Sequence, residues 1–152
     1  MIQRIENSAE RAAITRTILE ALPDWFGVPE SREKYIAESA EQIMVADVQE
    51  GVPRGFLCLK PTGKDTAELA VMGVLMEYHR QGIGRRLFQA ALEIVRAEGY
   101  SFLQVKTVQM GRYPDYDRTN LFYLSLGFRE FEVFPTLWDE ANPCQVYVMY
   151  IG

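Results

Sequence analysis

The sequence is short of several things, and each shortage closes a class of function. It holds two cysteines and one histidine in 152 residues. Cys58 and Cys144 sit inside strand-like runs without metal-ligand spacing, and two cysteines are too few for a disulfide framework. That usage predicts a reducing, cytoplasmic setting and no metal centre. No stretch approaches the ~20 apolar residues that a membrane-spanning helix needs. The start, Met1 to Glu10, alternates polar and apolar residues with no apolar leader core. No membrane or export role is therefore expected. Positive charge is also scarce: 16 Lys and Arg against 21 Asp and Glu leave a formal net charge of -5. Basic residues gather only around Arg80, Arg85 and Arg86, which makes no face for a polyphosphate backbone, so nucleic acid is not an expected partner.

What the chain does have is apolar material, 48% of its residues, enough for one domain over residues 1–152 with a self-sufficient core. Periodicity gives the order of elements. Ile2 to Ile5 reads as a strand. Ser8 offers an N-cap to a helix with Ile14, Ile18 and Leu22 on one stripe, which Pro23 closes. Asp24 to Pro29 reads as a turn-rich loop and Glu30 to Glu41 as a second helix. Gln42–Val48, Arg54–Lys60 and Glu68–Met76 form an antiparallel meander punctuated by Gly and Pro turns. From Gly82 to Glu98 the period changes, with Ile83, Leu87, Ala91, Ile94 and Val95 on one helical face and Gly99 as the stop. Ser101–Thr107 is a strand, Gln109–Asp117 a loop and Arg118–Leu126 a short helix closed by Gly127. Two strands follow, Phe128–Phe134 and Cys144–Ile151. The expected class is α/β with a mixed sheet: strand, two helices, three strands, helix, strand, helix, two strands.

The stretch richest in chemistry is Val74-Leu75-Met76-Glu77-Tyr78-His79-Arg80-Gln81-Gly82-Ile83-Gly84-Arg85-Arg86-Leu87, where a strand ends in a glycine-bearing turn that opens the long helix. The first N–H groups of a helix have no intrahelical partners, and the macrodipole adds partial positive charge, so the turn can hold an anion. Glycine lets a phosphate approach that backbone, and the three arginines can bond it at the rim. A Gly-x-Gly also makes an ordinary tight turn. No Gly-Lys-Ser/Thr follows, which excludes a P-loop, and the third glycine of a dinucleotide fingerprint is missing.

His79-Arg80-Gln81-Gly82-Ile83-Gly84 resembles the acyl-CoA-binding motif of GNAT N-acetyltransferases, Arg/Gln-x-x-Gly-x-Gly/Ala, with His79 at the position that motif gives to Arg or Gln. Phe122-Tyr123-Leu124-Ser125-Leu126-Gly127-Phe128 is similar to the family's C-terminal signature, with Tyr116 where that signature often has Asn. The order of elements also matches the family across nearly the whole chain. The resemblance implies a mixed sheet whose fourth and fifth strands splay, at Met72–Met76 and Phe102–Thr107, to admit the pantetheine arm of acetyl-CoA. It implies cofactor contacts from Val74 and Met76 on the fourth strand and Thr107 on the fifth. The cradle would supply His79, Arg80, Gln81, Gly82, Ile83, Gly84, Arg85 and Arg86, and the last helix Asn120 and Tyr123.

Acyl transfer to an amine needs an uncharged nucleophile, donors for the developing oxyanion and a proton for the departing thiolate. The resemblance makes Tyr123 the general acid. Glu68, fourteen positions before Gly82, has the spacing at which histone-type members carry a catalytic glutamate, and a solvent-facing strand residue reads equally well there. A backbone N–H near Val74 would serve the oxyanion. The acceptor pocket is expected from Trp25 and Phe26, from Tyr113, Asp115 and Tyr116, and from Trp138, because aromatic faces with interleaved carboxylates suit a cation; these aromatics could also anchor loops or form a homodimer contact. The expected activity is transfer of an acetyl group to a small-molecule primary amine. A protein N-terminus or lysine is the alternative acceptor, and a non-catalytic acyl-CoA sensor the alternative role.

Overall fold

The computed structural model describes residues 1–152. Seven strands form one sheet in the order β1-β2-β3-β4-β5-β7-β6, with β1 Ile2–Ile5, β2 Ile43–Gln49, β3 Val52–Pro61, β4 Thr66–Val74, β5 Phe102–Val108, β6 Arg129–Asp139 and β7 Asn142–Tyr150. Every pairing is antiparallel except β4 with β5. Five helices cover it: α1 Ser8–Glu20, α2 Pro23–Phe26, α3 Pro29–Ser39, α4 Ile83–Ala97 and α5 Pro114–Leu126. None is long and apolar enough to cross a membrane.

The sheet has a core on each face. On one, α4 brings Ile83, Leu87, Phe88, Ala91 and Val95, and α5 brings Tyr123, onto Leu57, Leu69, Leu103, Val105 and Tyr147. On the other, Ile14, Ile18 and Leu19 of α1, with Leu22, meet Met44, Phe56, Cys58 and Val71. Burying each of these large aliphatic side chains stabilises the fold by about 1.5–3 kcal/mol. Strand alternation then fixes where polar residues go. Leu103 and Val105 lie in the α4 core, so Gln104 and Lys106 face the α1 and α3 side.

Two features of β4 shape the site. Ala67 and Leu69 lie in the α4 core, whereas Val71 lies in the α1 core, so the alternation slips by one at Ala70. The cause is a register shift against β3, where Cys58 pairs with Val71 but Leu59 with Leu69; such a bulge re-aims the residues beyond it. The parallel pairing of β4 with β5 runs only from Thr66 with Phe102 to Leu69 with Val105. Beyond that β4 continues to Val74 while β5 pairs with β7 alone as far as Val108. The strands part like a fork, as the sequence resemblance implies, but later on β5 than expected: Phe102 to Val105 are still paired with β4, and only from Lys106 does β5 stand apart from it.

Several expectations need correction. Asn7, not Ser8, caps α1, its Oδ1 accepting from the Glu10 amide at 2.9 Å. The helix ends at Glu20, and Pro23 opens α2 instead of closing α1, so the expected loop around Trp25 and Phe26 is a helical turn. The second long helix is Pro29–Ser39 instead of 30–41. Tyr113 to Asp117, expected as loop, caps and opens α5. Proline fits the first turn of a helix, where no hydrogen bond needs its missing N–H. β4 stops at Val74, which puts Met76 in a 3-10 turn, Met76–Tyr78, more than half exposed. Phe134 to Asp139 continues β6, including Pro135, which an edge strand tolerates.

Candidate active site

The cradle is built as an anion site. Gly82 is the N-cap of α4 at φ 78°, in the left-handed region, and no side chain caps this end. The first backbone bond of the helix is Arg86 N–H to Gly82 O, 3.0 Å, so the amides of Ile83, Gly84 and Arg85 are left free. The first turn holds no acidic residue, in contrast to Glu10 in α1 and Asp115 and Asp117 in α5. An anion therefore meets dipole and donors with no opposing carboxylate. A Cβ at Gly84 would lie 3.1 Å from the Phe122 ring, so glycine here lets α4 approach α5 closely. Arg85 also crosses to α5, donating to Ser125 at 3.2 Å, and Arg86 donates to the Gln81 carbonyl at 3.0 Å. Arg80, Gln81, Arg85 and Arg86 are exposed around the turn, with Arg80 itself at φ 64°; Ile83 points into the core.

The fork is the second half of the candidate site. Leu75 N–H donates to Arg54 O across to β3. Bonded and non-bonded pairs alternate along antiparallel strands, so the backbone groups of Val74 and Met72 turn away from β3 and into the fork. Two of the fork's carbonyls are already capped by side chains. His79 Nε2 donates to Val74 O at 2.6 Å, which fixes its tautomer. Asn120 Nδ2 donates to Val108 O at 2.9 Å and to Tyr116 O at 2.7 Å, while its Oδ1 accepts from the Tyr147 hydroxyl at 2.6 Å. With both amide donors engaged and the residue fully buried, Asn120 holds the β5 blade of the fork to α5 and has no donor left for a ligand. Thr107 is buried on β5, abreast of Gln145.

Tyr123 stands between these halves. It is 6% exposed and packs in the α4 core, with the rings of Phe122, Phe128 and Tyr147 about it. The hydroxyls of Tyr116 and Tyr147 bond to Trp25 O and Asn120 Oδ1, whereas that of Tyr123 has no partner in the protein. Burial pushes its pKa up, with smaller contributions from nearby Tyr35 and Tyr116. It is a protonated phenol with a free donor.

On the α1 and α3 side, side chains from distant elements come together and mark out a candidate acceptor side. Tyr116 of α5 donates to Trp25 O of α2 at 2.9 Å, and Trp25 sets its ring edge-on to His79, centroids 6.1 Å apart. Phe26 stands edge-on to Tyr35 at 5.8 Å, and Tyr113 to Tyr116 at 6.0 Å. Asp115 is bonded to Arg118. Trp138, 44% exposed far along β6, forms no ring pair with this group. Glu68 is 5% exposed. Its Oε1 takes both Lys106 Nζ and Gln104 Nε2 at 3.0 Å, while Oε2 has only Lys60 Nζ at 3.7 Å. Tyr35 lies close enough to Glu38 and Glu68 for their charges to add to the burial that raises its own pKa. Burial likewise pushes the Cys144 thiol up to about 11, against a lowering by Lys106, so it is no nucleophile at neutral pH.

Tyr35, Lys60, Gln104 and Lys106 escape the sequence reading. The signal for the last three is a polar side chain at an inward strand position, and it becomes legible only once β3, β4 and β5 are set abreast.

The free amides of α4, the left-handed glycine and the unpaired β4 backbone fit a diphosphate with an extended amide arm. Comparison with known proteins agrees. Residues 11–128 match the model of the Acetyltransferase (GNAT) family. A crystal structure assigned to the GNAT family, from Desulfovibrio desulfuricans, superposes with TM-score 0.86 at 18% identity, covering 100% of both chains. An aminoglycoside 6'-N-acetyltransferase complexed with coenzyme A gives TM-score 0.79 at 18% identity, with 100% of this chain and 97% of that one covered. The ribosomal-protein-S18-alanine N-acetyltransferase of Escherichia coli gives 0.76 at 19%, covering 100% and 95%. At such identities the structures speak for the fold alone. No match to a curated protein was found. GNAT acetyltransferases use acetyl-CoA, and with the family model spanning well over half of its length the chain belongs to the GNAT acetyltransferase family.

Proposed function

We propose that this chain is a single-domain, cytoplasmic N-acetyltransferase that moves an acetyl group to the primary amine of a small molecule. The observation that carries the reading is the Tyr123 hydroxyl, borne on a residue only 6% exposed, held protonated by burial and unbonded in the protein, on the helix that ties to both the fork and the phosphate cradle. Bound acetyl-CoA supplies an activated acyl group and a thiolate leaving group that needs a proton. The amides of Ile83, Gly84 and Arg85 hold the diphosphate, with Arg80 and Arg86 at its rim. Met72 and Val74 orient the arm through their backbone. Tyr123 holds a proton on its hydroxyl for the thiolate, in a site where burial keeps that proton in place at neutral pH. Glu68 Oε2, its freer oxygen, receives the proton of the incoming ammonium directly or through one water.

A small acceptor is favoured over a peptide because Tyr116, Trp25 and His79 are linked in series, tying α5 and α2 to the turn that precedes α4. That tie narrows the room for a peptide backbone between these elements. The test is thiol release from acetyl-CoA against a broad panel of small amines and of peptides with free N-termini or lysines. Turnover with small amines is expected. Turnover restricted to peptides would replace the acceptor class, and none with any amine would sink the enzyme reading.

A further inference from the structure

Interleaved carboxylates were expected on the acceptor side, and at Glu68 the local balance is positive instead. Lys60, Glu68 and Gln104 stand abreast on β3, β4 and β5. Lys106 is the next residue along β5 to face the same way, and it lies just past Val105, the last residue paired with β4. It therefore sits at the crotch of the fork. Two ammonium groups share one carboxylate: Glu68 is 6% exposed at its side chain, while Lys60 and Lys106 are 39% and 33% exposed. The cluster has one positive charge to spare, and the better exposed side chains carry it. Asp115, a carboxylate expected to face the acceptor, is bonded to Arg118.

We infer that the acceptor carries a carboxylate beside its amine, as an amino acid does, and that Lys60 and Lys106 receive that carboxylate. The inference rests on the acetyltransferase reading above. A purely cationic amine would meet excess like charge at the fork. A zwitterion is matched at both ends, its carboxylate by the two lysines and its ammonium by Glu68 Oε2, whose only close partner is Lys60 at 3.7 Å. Charge-assisted bonds of this kind are the strong ones, and in a partly buried pocket they separate substrates that differ by one charged group.

The test compares amino acids with the amines left when their carboxylate is removed: glycine with methylamine, phenylalanine with phenethylamine, and lysine with cadaverine. Thiol release should give the amino acid of at least one pair a kcat/KM about 10- to 100-fold above its partner. In Lys106→Met that ratio should fall toward one through KM, and Lys106→Arg should restore most of it. Because Lys106→Met removes a partner of a buried carboxylate and could misfold, the unaltered protein is also titrated in a calorimeter with N-acetylphenylalanine and with its uncharged methylamide. The acid should bind, more weakly as salt rises, and the methylamide should not. Equal or better use of the decarboxylated amines, or equal binding of the methylamide, would overturn the inference while leaving the acetyltransferase reading intact. Silence with every amine would remove both.

Discussion

The two sides of the fork are made of different material. On the cofactor side the working groups are backbone: three free amides of α4, a left-handed glycine and the unpaired edge of β4. Across the fork they are side chains brought from α2, α3, α5, β3, β4 and β5. A backbone site depends on chain geometry, which many sequences can supply provided the glycine is kept. A side-chain site depends on every residue in it. The difference teaches that the cofactor is set by the fold, whereas the acceptor is set by a few exchangeable positions.

Three substitutions can break or sharpen that contrast. The largest effect is expected for Tyr123→Phe, the one side chain both halves rely on. Removing the donor should lower kcat about 100- to 10,000-fold, with the acetyl-CoA dissociation constant nearly unchanged by calorimetry; an unaltered kcat would assign the proton to another group. Next is Gly82→Val. A β-branched residue at φ 78° is strained, and the turn must move. The loss of two or so charge-assisted bonds should weaken acetyl-CoA about 100-fold. Circular dichroism should show the fold kept, and normal binding by the variant would rule out the cradle. The smallest effect on the ligand is expected for Asn120→Ala, which should be felt in stability instead. It leaves Val108 O and the Tyr147 hydroxyl without their bonds, which should destabilise the protein by about 2–4 kcal/mol in urea unfolding. Weaker binding of acetyl-CoA with unchanged stability would mean that Asn120 serves the ligand and not the β5 blade.

The sequence carries the cradle well because its determinants are local. Gly82 and Gly84 lie within three residues of each other, next to a helix whose apolar stripe, Ile83, Leu87, Ala91 and Val95, is plain in the period. The succession of strands along the chain is equally legible, though the insertion of β7 between β5 and β6 in the sheet is not. Prolines mislead: Pro23 and Pro114 read as breakers, yet both open helices, because the first turn does not use the N–H that proline lacks. Pro135 reads as a loop for the opposite reason, since only an edge strand can hold it and edges are not visible before the sheet is assembled. The acceptor side is half legible. Trp25, Phe26 and Tyr116 stand out as loop aromatics. The charge there does not, because Glu68 looks like a lone acid until strand pairing sets Lys60 on one side of it and Gln104 and Lys106 on the other.

The narrow junction of β4 and β5 has a mechanical consequence. Four residue pairs are all that stitch one half of the sheet to the other along that line, while the neighbouring seams run for seven. A ligand lying in the cleft adds rungs where the ladder is incomplete, so loading the cofactor should stiffen the whole plate as well as fill a pocket. Amide hydrogens of Met72, Val74 and Val108, none of them in the cradle, would then exchange more slowly with solvent once acetyl-CoA is bound.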